Sequence, residues 1–255
     1  MQPTIDKSQG DVPRPGSVVA LHKIEDTSHG IIVRGARILA TLAPFADEIA
    51  VYPGVPLTPG TDPYALSFCI PISTPGLKFL CRDSVSTGGN CFDHPLSSRF
   101  DEQDAFVIFD NVEVPRERVF IDGNSAVYNA VMAYSLMPNI MHQTMIRAQT
   151  KLEFAWGLAT RMCEAINALG PNEQAMLGEI WSYAELTRAA VVAAEQGARD
   201  YGDGVWFPDG QSLNALRPSL PLWFPRVNEI FRLLGSHNLF AAPAAAQFAD
   251  RKSVV

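Results

Sequence analysis

The chain has 255 residues, 47% of them hydrophobic and 18% charged, with a formal net charge of −7. That apolar content is enough for a sizeable core and excludes a disordered chain. An acidic balance with no Lys/Arg cluster excludes a protein that works by neutralising nucleic-acid phosphates.

The N-terminus is polar and carries acidic residues, so no signal peptide is expected. Short apolar runs punctuated by Gly and Pro follow: Val18 to Ile24, Ile31 to Val33, Ile49 to Tyr52, Ala65 to Ile72, Leu77 to Cys81 and Ala105 to Phe109. Their length and β-branched and aromatic content predict strands, and their spacing predicts an all-β barrel or sandwich over residues 1–120. Gly35 interrupts one strand pattern, which predicts a bulge or a close backbone approach. Thr41 ends the run Ile38 to Leu42, just ahead of Pro44, which cannot donate to a ladder.

Beyond residue 120 the period changes, and 121–255 reads as a helical bundle. Ile146, Thr150, Phe154 and Leu158 recur four apart and predict the apolar face of a first long helix. Met176 to Arg199 predicts a second and Pro225 to Leu239 a third, with Tyr201 to Pro221 as a connecting loop. Trp181, Leu186, Val191 and Val192 give the second helix more apolar surface than one packing partner covers, so an oligomer is expected.

No GxGxxG follows a strand, and neither GxxxxGK[ST] nor GxSxG occurs, so a Rossmann site, a P-loop and a nucleophile elbow are unsupported. Cys69, Cys81, Cys91 and Cys163 lack the pairing of a zinc site and the density of a disulfide scaffold. Free thiols, a reducing cytoplasm and no metal are expected. No apolar run reaches membrane-span length. His22 and His29 read as surface residues flanking a turn. Asp101, Glu102, Asp104, Asp110 and Glu113 read as solvated charges bracketing a strand. Arg99, beside Ser97 and Ser98, is a candidate anion anchor.

Three long stretches carry a resemblance: GIIVRGARILATLAPFADE at Gly30 to Glu48, FDHPLSSRFDEQDAFVIFDNVEVPRERVF at Phe92 to Phe120, and LLGSHNLFAAP at Leu233 to Pro243. Together with TPGLKFLCRDS at Thr74 to Ser84 they make the chain resemble the oxygenase component of the 4-hydroxyphenylacetate 3-monooxygenase family, from about Thr4 to Phe248. These are two-component flavin-dependent aromatic hydroxylases. The resemblance implies an α+β, multi-domain, acyl-CoA-dehydrogenase-like architecture: a middle β domain followed by a C-terminal helical bundle. It also implies reduced FAD delivered by diffusion from a separate flavin reductase, O2 as co-substrate, and ortho-hydroxylation of a phenolic substrate through a flavin C4a-hydroperoxide.

For this chain the resemblance carries flavin contacts onto Thr4, Ile5, Asp6, Lys7, Thr41, Gly235, Ser236, His237 and Asn238. Pro53 and Gly54 are carried over as substrate contacts. Lys7 would neutralise a pyrophosphate, Thr41 would bond the isoalloxazine edge, and Gly235 and Ser236 would expose backbone amides. Most phenol-anchoring residues of the family belong to a first helical domain with no counterpart here, so no catalytic residue is assigned. A truncated copy, impaired by itself, is expected, in a bundle that assembles as a dimer of dimers. The alternatives are a non-catalytic oligomerising fragment, an acyl-CoA dehydrogenase, or a 4-hydroxybutyryl-CoA dehydratase. The last places a cluster-binding His at His142 and a Cys two turns on, where this chain has Gln149.

Overall fold

The computed structural model describes residues 13–85 and 90–250. The chain divides into two compact units, Met1–Tyr134 with Ala244–Val255, and Ser135–Pro243.

In the first unit seven strands follow in order: β1 (His22–Asp26), β2 (Gly30–Thr41), β3 (Glu48–Val51), β4 (Leu66–Pro71), β5 (Leu77–Cys81), β6 (Asp104–Pro115) and β7 (Val119–Asp122). Antiparallel pairing builds two sheets, ordered β1-β2-β6-β5 and β3-β4-β7. Ile31, Val33, Val107, Phe109, Val112 and Val114 from the first sheet share one core with Val51, Leu66, Phe68 and Ile70 from the second. Phe68 and Phe109 meet edge to face at 5.9 Å across it. Alternation along the strands supplies this core, because successive side chains point to opposite faces. The two sheets do not close into a barrel among the described residues.

Gly35 has the bulge and the close approach that its place in the pattern predicts. The register of β2 on β6 slips between Val33 and Gly35. A Cβ on Gly35, at φ +122°, would lie 2.5 Å from the Ala20 carbonyl oxygen, a distance no side chain tolerates. On the opposite strand Asn111, at φ 53°, takes up the extra residue. Beyond it Val112 and Val114 face inward again, so β6 runs six residues past the predicted end at Phe109. Strand β2 ends at Thr41, as Pro44 requires. Leu42 turns the chain at φ 61° into a short 3-10 helix, Ala43–Phe45.

Helix α1 (Ser125–Val131) follows β7, its first turn capped by the Asn124 side chain accepting from the Val127 N–H. The second unit contains α2 (Met137–Ala165), α3 (Pro171–Gln196), a hairpin of β8 (Arg199–Asp200) and β9 (Trp206–Phe207), α4 (Gly210–Ala215), α5 (Leu220–Gly235) and α6 (Asn238–Ala241). A last helix, α7 (Ala245–Ala249), belongs to the first unit.

Two helices start earlier than periodicity indicates. Pro171 opens α3 and Pro221 lies in the first turn of α5. Proline suits these positions, where its missing N–H would have no intrahelical partner. The expected loop Tyr201 to Pro221 instead holds part of the hairpin and all of α4.

The buried face of α2 is not the predicted one. Met145, Ala148, Leu152, Ala155, Ala159 and Cys163 are buried, whereas Ile146, Phe154 and Leu158 are exposed. Helix α3 meets α2 with its own small and branched residues, Ile180 and Ala184. Alanine faces let the helix backbones approach closely, so they win the contact, and the bulkier stripe is left outside it.

Candidate functional site

The predicted site residues fall in different parts of the chain. Thr4, Ile5, Asp6 and Lys7 lie outside the described residues. Thr41, Pro53 and Gly54 belong to the first unit, and Gly235, Ser236, His237 and Asn238 to the second.

Thr41 is exposed at the end of β2, opposite Asp104, and its hydroxyl donates to the Asp104 carboxylate at 2.5 Å. Its oxygen lone pairs remain able to accept from a ligand. Twelve residues on, Pro53 is buried and Gly54 half-buried. Helix α1 fixes this loop: the Gly54 N–H donates to the Tyr128 hydroxyl at 2.9 Å. Asn129 clamps Leu57 at two points, accepting from its N–H at 2.8 Å and donating to its carbonyl at 2.9 Å. Tyr128 is itself buried among Ala20, Leu57, Tyr64, Ala65 and Ile121. The loop is therefore held by side chains of a packed helix rather than by its own turns.

Arg37 comes up to the same loop from the sheet side. It faces inward on β2 opposite the fully buried Val107, and is only 8% exposed. Its Nη1 would lie 3.7 Å from a Cβ on Gly54, and such a Cβ would meet nothing else. Neither Nε nor Nη2 has a hydrogen-bond partner among the described residues. Burial pushes the guanidinium pKa down, and the neighbouring Tyr128 hydroxyl offsets this only in part. Arg37, Tyr128 and Asn129 were not among the predicted residues. Arg37 was recoverable from the sequence: it has the inward parity of Ile31 and Val33 in an otherwise apolar strand.

In the second unit, Gly235 is the last residue of α5 and is buried. A Cβ there would stand 2.3 Å from Cγ of Leu239, so the glycine is required for space. The positive φ of this turn belongs instead to Ser236, at 45°, whose N–H donates to the Arg232 carbonyl at 2.8 Å. Ser236, His237 and Asn238 are exposed, and His237 precedes the first turn of α6. The residues of this turn thus present a hydroxyl, an imidazole and an amide to solvent.

Several other candidates have structural partners. Asp101 is held below the usual carboxylate range by the Ser84 hydroxyl and by Arg82, whose guanidinium is 2.6 Å away. Asp110 pairs with Lys78 at 2.8 Å, and Glu113 accepts from Thr27. Arg99 is exposed. His22 Nδ1 lies 2.7 Å from the Ala20 carbonyl, and His142 pairs with Glu195 at 2.9 Å. Gln149 donates to Glu153, one turn on. The four cysteines are unpaired. Among the described residues no group of three or more His, Cys, Asp or Glu is placed to hold a metal, and no helix is long and apolar enough to cross a membrane. An apolar groove of about 520 Å³ in the second unit, lined by Met141, Met145, Leu220 and Phe224, contains none of the candidate residues.

Two family models match the chain: 4-hydroxyphenylacetate 3-hydroxylase N terminal over residues 1–121, and 4-hydroxyphenylacetate 3-hydroxylase C terminal over residues 127–253. The chain belongs to the 4-hydroxyphenylacetate 3-hydroxylase family. It is 38% identical over 248 residues to the 4-hydroxyphenylacetate 3-monooxygenase oxygenase component of Thermus thermophilus, covering 96% of this chain and 51% of that protein. The corresponding component of a Geobacillus species is 39% identical, with 95% and 49% covered. The chain thus spans about half the length of the curated relatives it matches. A crystal structure of an oxygenase component complexed with FAD and 4-hydroxyphenylacetate superposes with a TM-score of 0.88 at 37% identity, covering 98% of this chain and 53% of that one. More distant structures share the fold alone. These are an archaeal 4-hydroxybutyryl-CoA dehydratase from N. maritimus (TM-score 0.74, 16% identity, 91% and 47% covered) and a glutaryl-coenzyme A dehydrogenase (0.60, 14%, 86% and 52%). The mixed helix-and-sheet architecture is therefore of the acyl-CoA-dehydrogenase-like kind.

Proposed function

We propose that this chain forms the flavin- and substrate-facing scaffold of an FAD-dependent aromatic hydroxylase that inserts one oxygen atom of O2 ortho to a phenol. The observation that carries this reading is the match of 98% of this chain to 53% of an oxygenase component complexed with FAD and 4-hydroxyphenylacetate. Reduced FAD, when bound, supplies the activated oxygen; it arrives from a separate reductase, in the cytoplasm, where the four free thiols stay reduced.

The residues present fit such a group. Thr41 offers an exposed hydroxyl already oriented by Asp104. The Gly235 to Asn238 turn offers short polar side chains beside a glycine that cannot carry a Cβ. The Pro53–Gly54 loop, pinned by Tyr128, forms a rigid wall for the ring of the substrate. Rigidity matters here, because excluding water and fixing the ring are the protein's main contributions to such a reaction.

The helical unit assembles the enzyme in this reading. Ile146, Phe154 and Leu158 on α2, with Trp181 and Leu186 on α3, are too much exposed apolar surface to leave in water. A dimer of dimers would cover them and would bring the Gly235 turn to the flavin of a neighbouring subunit.

Titration of FAD into the chain and two variants, with assembly followed by sedimentation, tests the reading. Thr41→Val removes one hydrogen bond and weakens FAD by about 1 kcal/mol. Gly235→Val costs more, because the new side chain collides with Leu239 and displaces the turn. Unchanged affinity in Gly235→Val would remove the turn from the flavin site.

A further inference from the structure

Thr41 and Asp104 face each other at the last paired position of β2 and β6. The Thr41 hydroxyl donates to the Asp104 carboxylate at 2.5 Å. An ionised carboxylate can only accept, so the single hydroxyl hydrogen is committed and the Thr41 oxygen offers a ligand nothing but lone pairs. The backbone around the pair is fixed from both sides. The Leu42 N–H donates to the Gln103 carbonyl at 2.8 Å, and the Arg82 N–H to the Asp104 carbonyl at 3.1 Å. The Arg82 guanidinium lies 4.0 Å from the other oxygen of Asp104 and is itself anchored on Asp101 at 2.6 Å.

Thr41 is exposed, and its neighbours along the chain expose apolar groups. Leu39 and Leu42 both take the left-handed backbone, at φ 58° and 61°, with 62% and 45% of each residue open to solvent. Leucine is uncommon in that conformation, and such outliers gather at ligand sites. Phe45, in the short 3-10 helix that follows, is exposed as well. One committed acceptor among exposed apolar side chains suits a flat ring whose edge carries an N–H.

We propose that Asp104 is a positioning residue that locks the Thr41 hydroxyl as an acceptor, so that this end of β2 selects reduced over oxidised flavin. The inference rests on the reading of this chain as part of an FAD-dependent hydroxylase and adds to it a residue that sets which redox state is taken up. N5 is the edge atom of an isoalloxazine that changes character on reduction near neutral pH: it accepts when oxidised and carries a hydrogen when reduced. Against the locked oxygen the oxidised ring sets lone pair to lone pair, whereas the reduced ring donates. An unmatched polar pair costs more than a matched one gains, so one committed hydroxyl is enough to discriminate. Asp104→Asn reverses the arrangement, because the amide can donate to the Thr41 oxygen and free its hydrogen to point at the ligand.

The test is titration of the 255-residue chain with oxidised FAD and, anaerobically, with dithionite-reduced FAD. Reduced FAD is expected to bind at least about tenfold more tightly, equivalent for a two-electron couple to a bound-flavin midpoint potential about 30 mV above that of the free cofactor. Asp104→Asn should lose that preference, and Thr41→Ser, which keeps the hydroxyl, should keep it. Thr41→Val should also lose it, by weakening reduced FAD, and decides the matter if Asp104→Asn does not fold. The sign separates orientation from charge. Reduced flavin is an anion near neutral pH, so a carboxylate acting through charge alone would repel it, and Asp104→Asn would then raise the preference. A raised or unchanged preference in Asp104→Asn, an unchanged one in Thr41→Val, or equal binding of the two forms by the wild type would overturn the proposal and leave the hydroxylase reading standing. Failure of both forms to bind would overturn that reading as well.

Discussion

Two arginines, one in each unit, show two uses of a guanidinium. Arg226 on α5 is paired through each of its three nitrogens: Nε and Nη2 contact the two Glu179 oxygens at 2.9 and 3.0 Å, and Nη1 reaches Glu229 at 2.8 Å. Glu179 also accepts from the Tyr183 hydroxyl at 2.6 Å, and the Tyr183 ring stacks on Trp223 at 4.7 Å. The Glu179 contacts fasten α5 to α3, and the Glu229 contact lies within α5. Arg37 is more deeply buried, yet its bidentate edge has no partner among the described residues. A bidentate contact made within the fold stabilises it, whereas an unmade one leaves the cost of burying the charge uncompensated. The contrast separates a compensated charge from an uncompensated one of the same residue type.

The largest expected effect breaks the paired end of this comparison. Arg226→Met leaves Glu179 and Glu229 without their cation and should lower the thermal midpoint by several degrees, since removing one partner strands the others. The pH dependence changes with it. Arg226, followed by the Tyr183 hydroxyl, holds the Glu179 carboxyl below its ordinary 4.5. The associated stability is present above that value and is lost as pH falls through the lowered one. Acid unfolding of the variant should lack this contribution, and an acid limb identical to that of the wild type would show that the pair contributes nothing measurable.

The opposite sign is expected at the unpaired end. Arg37→Met replaces an unpaired buried charge with an apolar chain of similar length. Ligand-free stability should be unchanged or raised, by about 1 kcal/mol. Denaturant unfolding of the free chain checks this, and a clear loss of stability would mean that Arg37 is satisfied within the fold after all.

The smallest effect sharpens the paired end spectroscopically. Burial, then the Glu179 contact, push the Tyr183 phenol up to about 12 from 10.0. An acid with a raised folded pKa contributes stability that is full below its unfolded value, so this contribution is lost as pH rises from about 10 to about 12. Phenolate absorbance should show a late-titrating tyrosine that Tyr183→Phe removes. A titration in which all six tyrosines ionise together near 10 would contradict it.

Much of this protein could be read from local chemistry alone. The bulge at Gly35, the end of β2 at Thr41 before Pro44, the strands before the long helices and the family itself all follow from residue type and short-range order. Gly235 was carried over from the family as a flavin contact; the space it leaves for Leu239, and the positive φ at Ser236, appear only in the structure. What the sequence could not determine depends on neighbours distant along the chain. Periodicity marks Ile146, Phe154 and Leu158 as an apolar face, but Ile180 and Ala184 of α3 pack on the alanine-rich face of α2, because close backbone approach outweighs side-chain size. Parity along β2 marks Arg37 as inward-facing, but no local pattern shows which partners either arginine meets. Only packing brings Glu179 to one guanidinium and leaves the other, beside Gly54, without a carboxylate partner among the described residues.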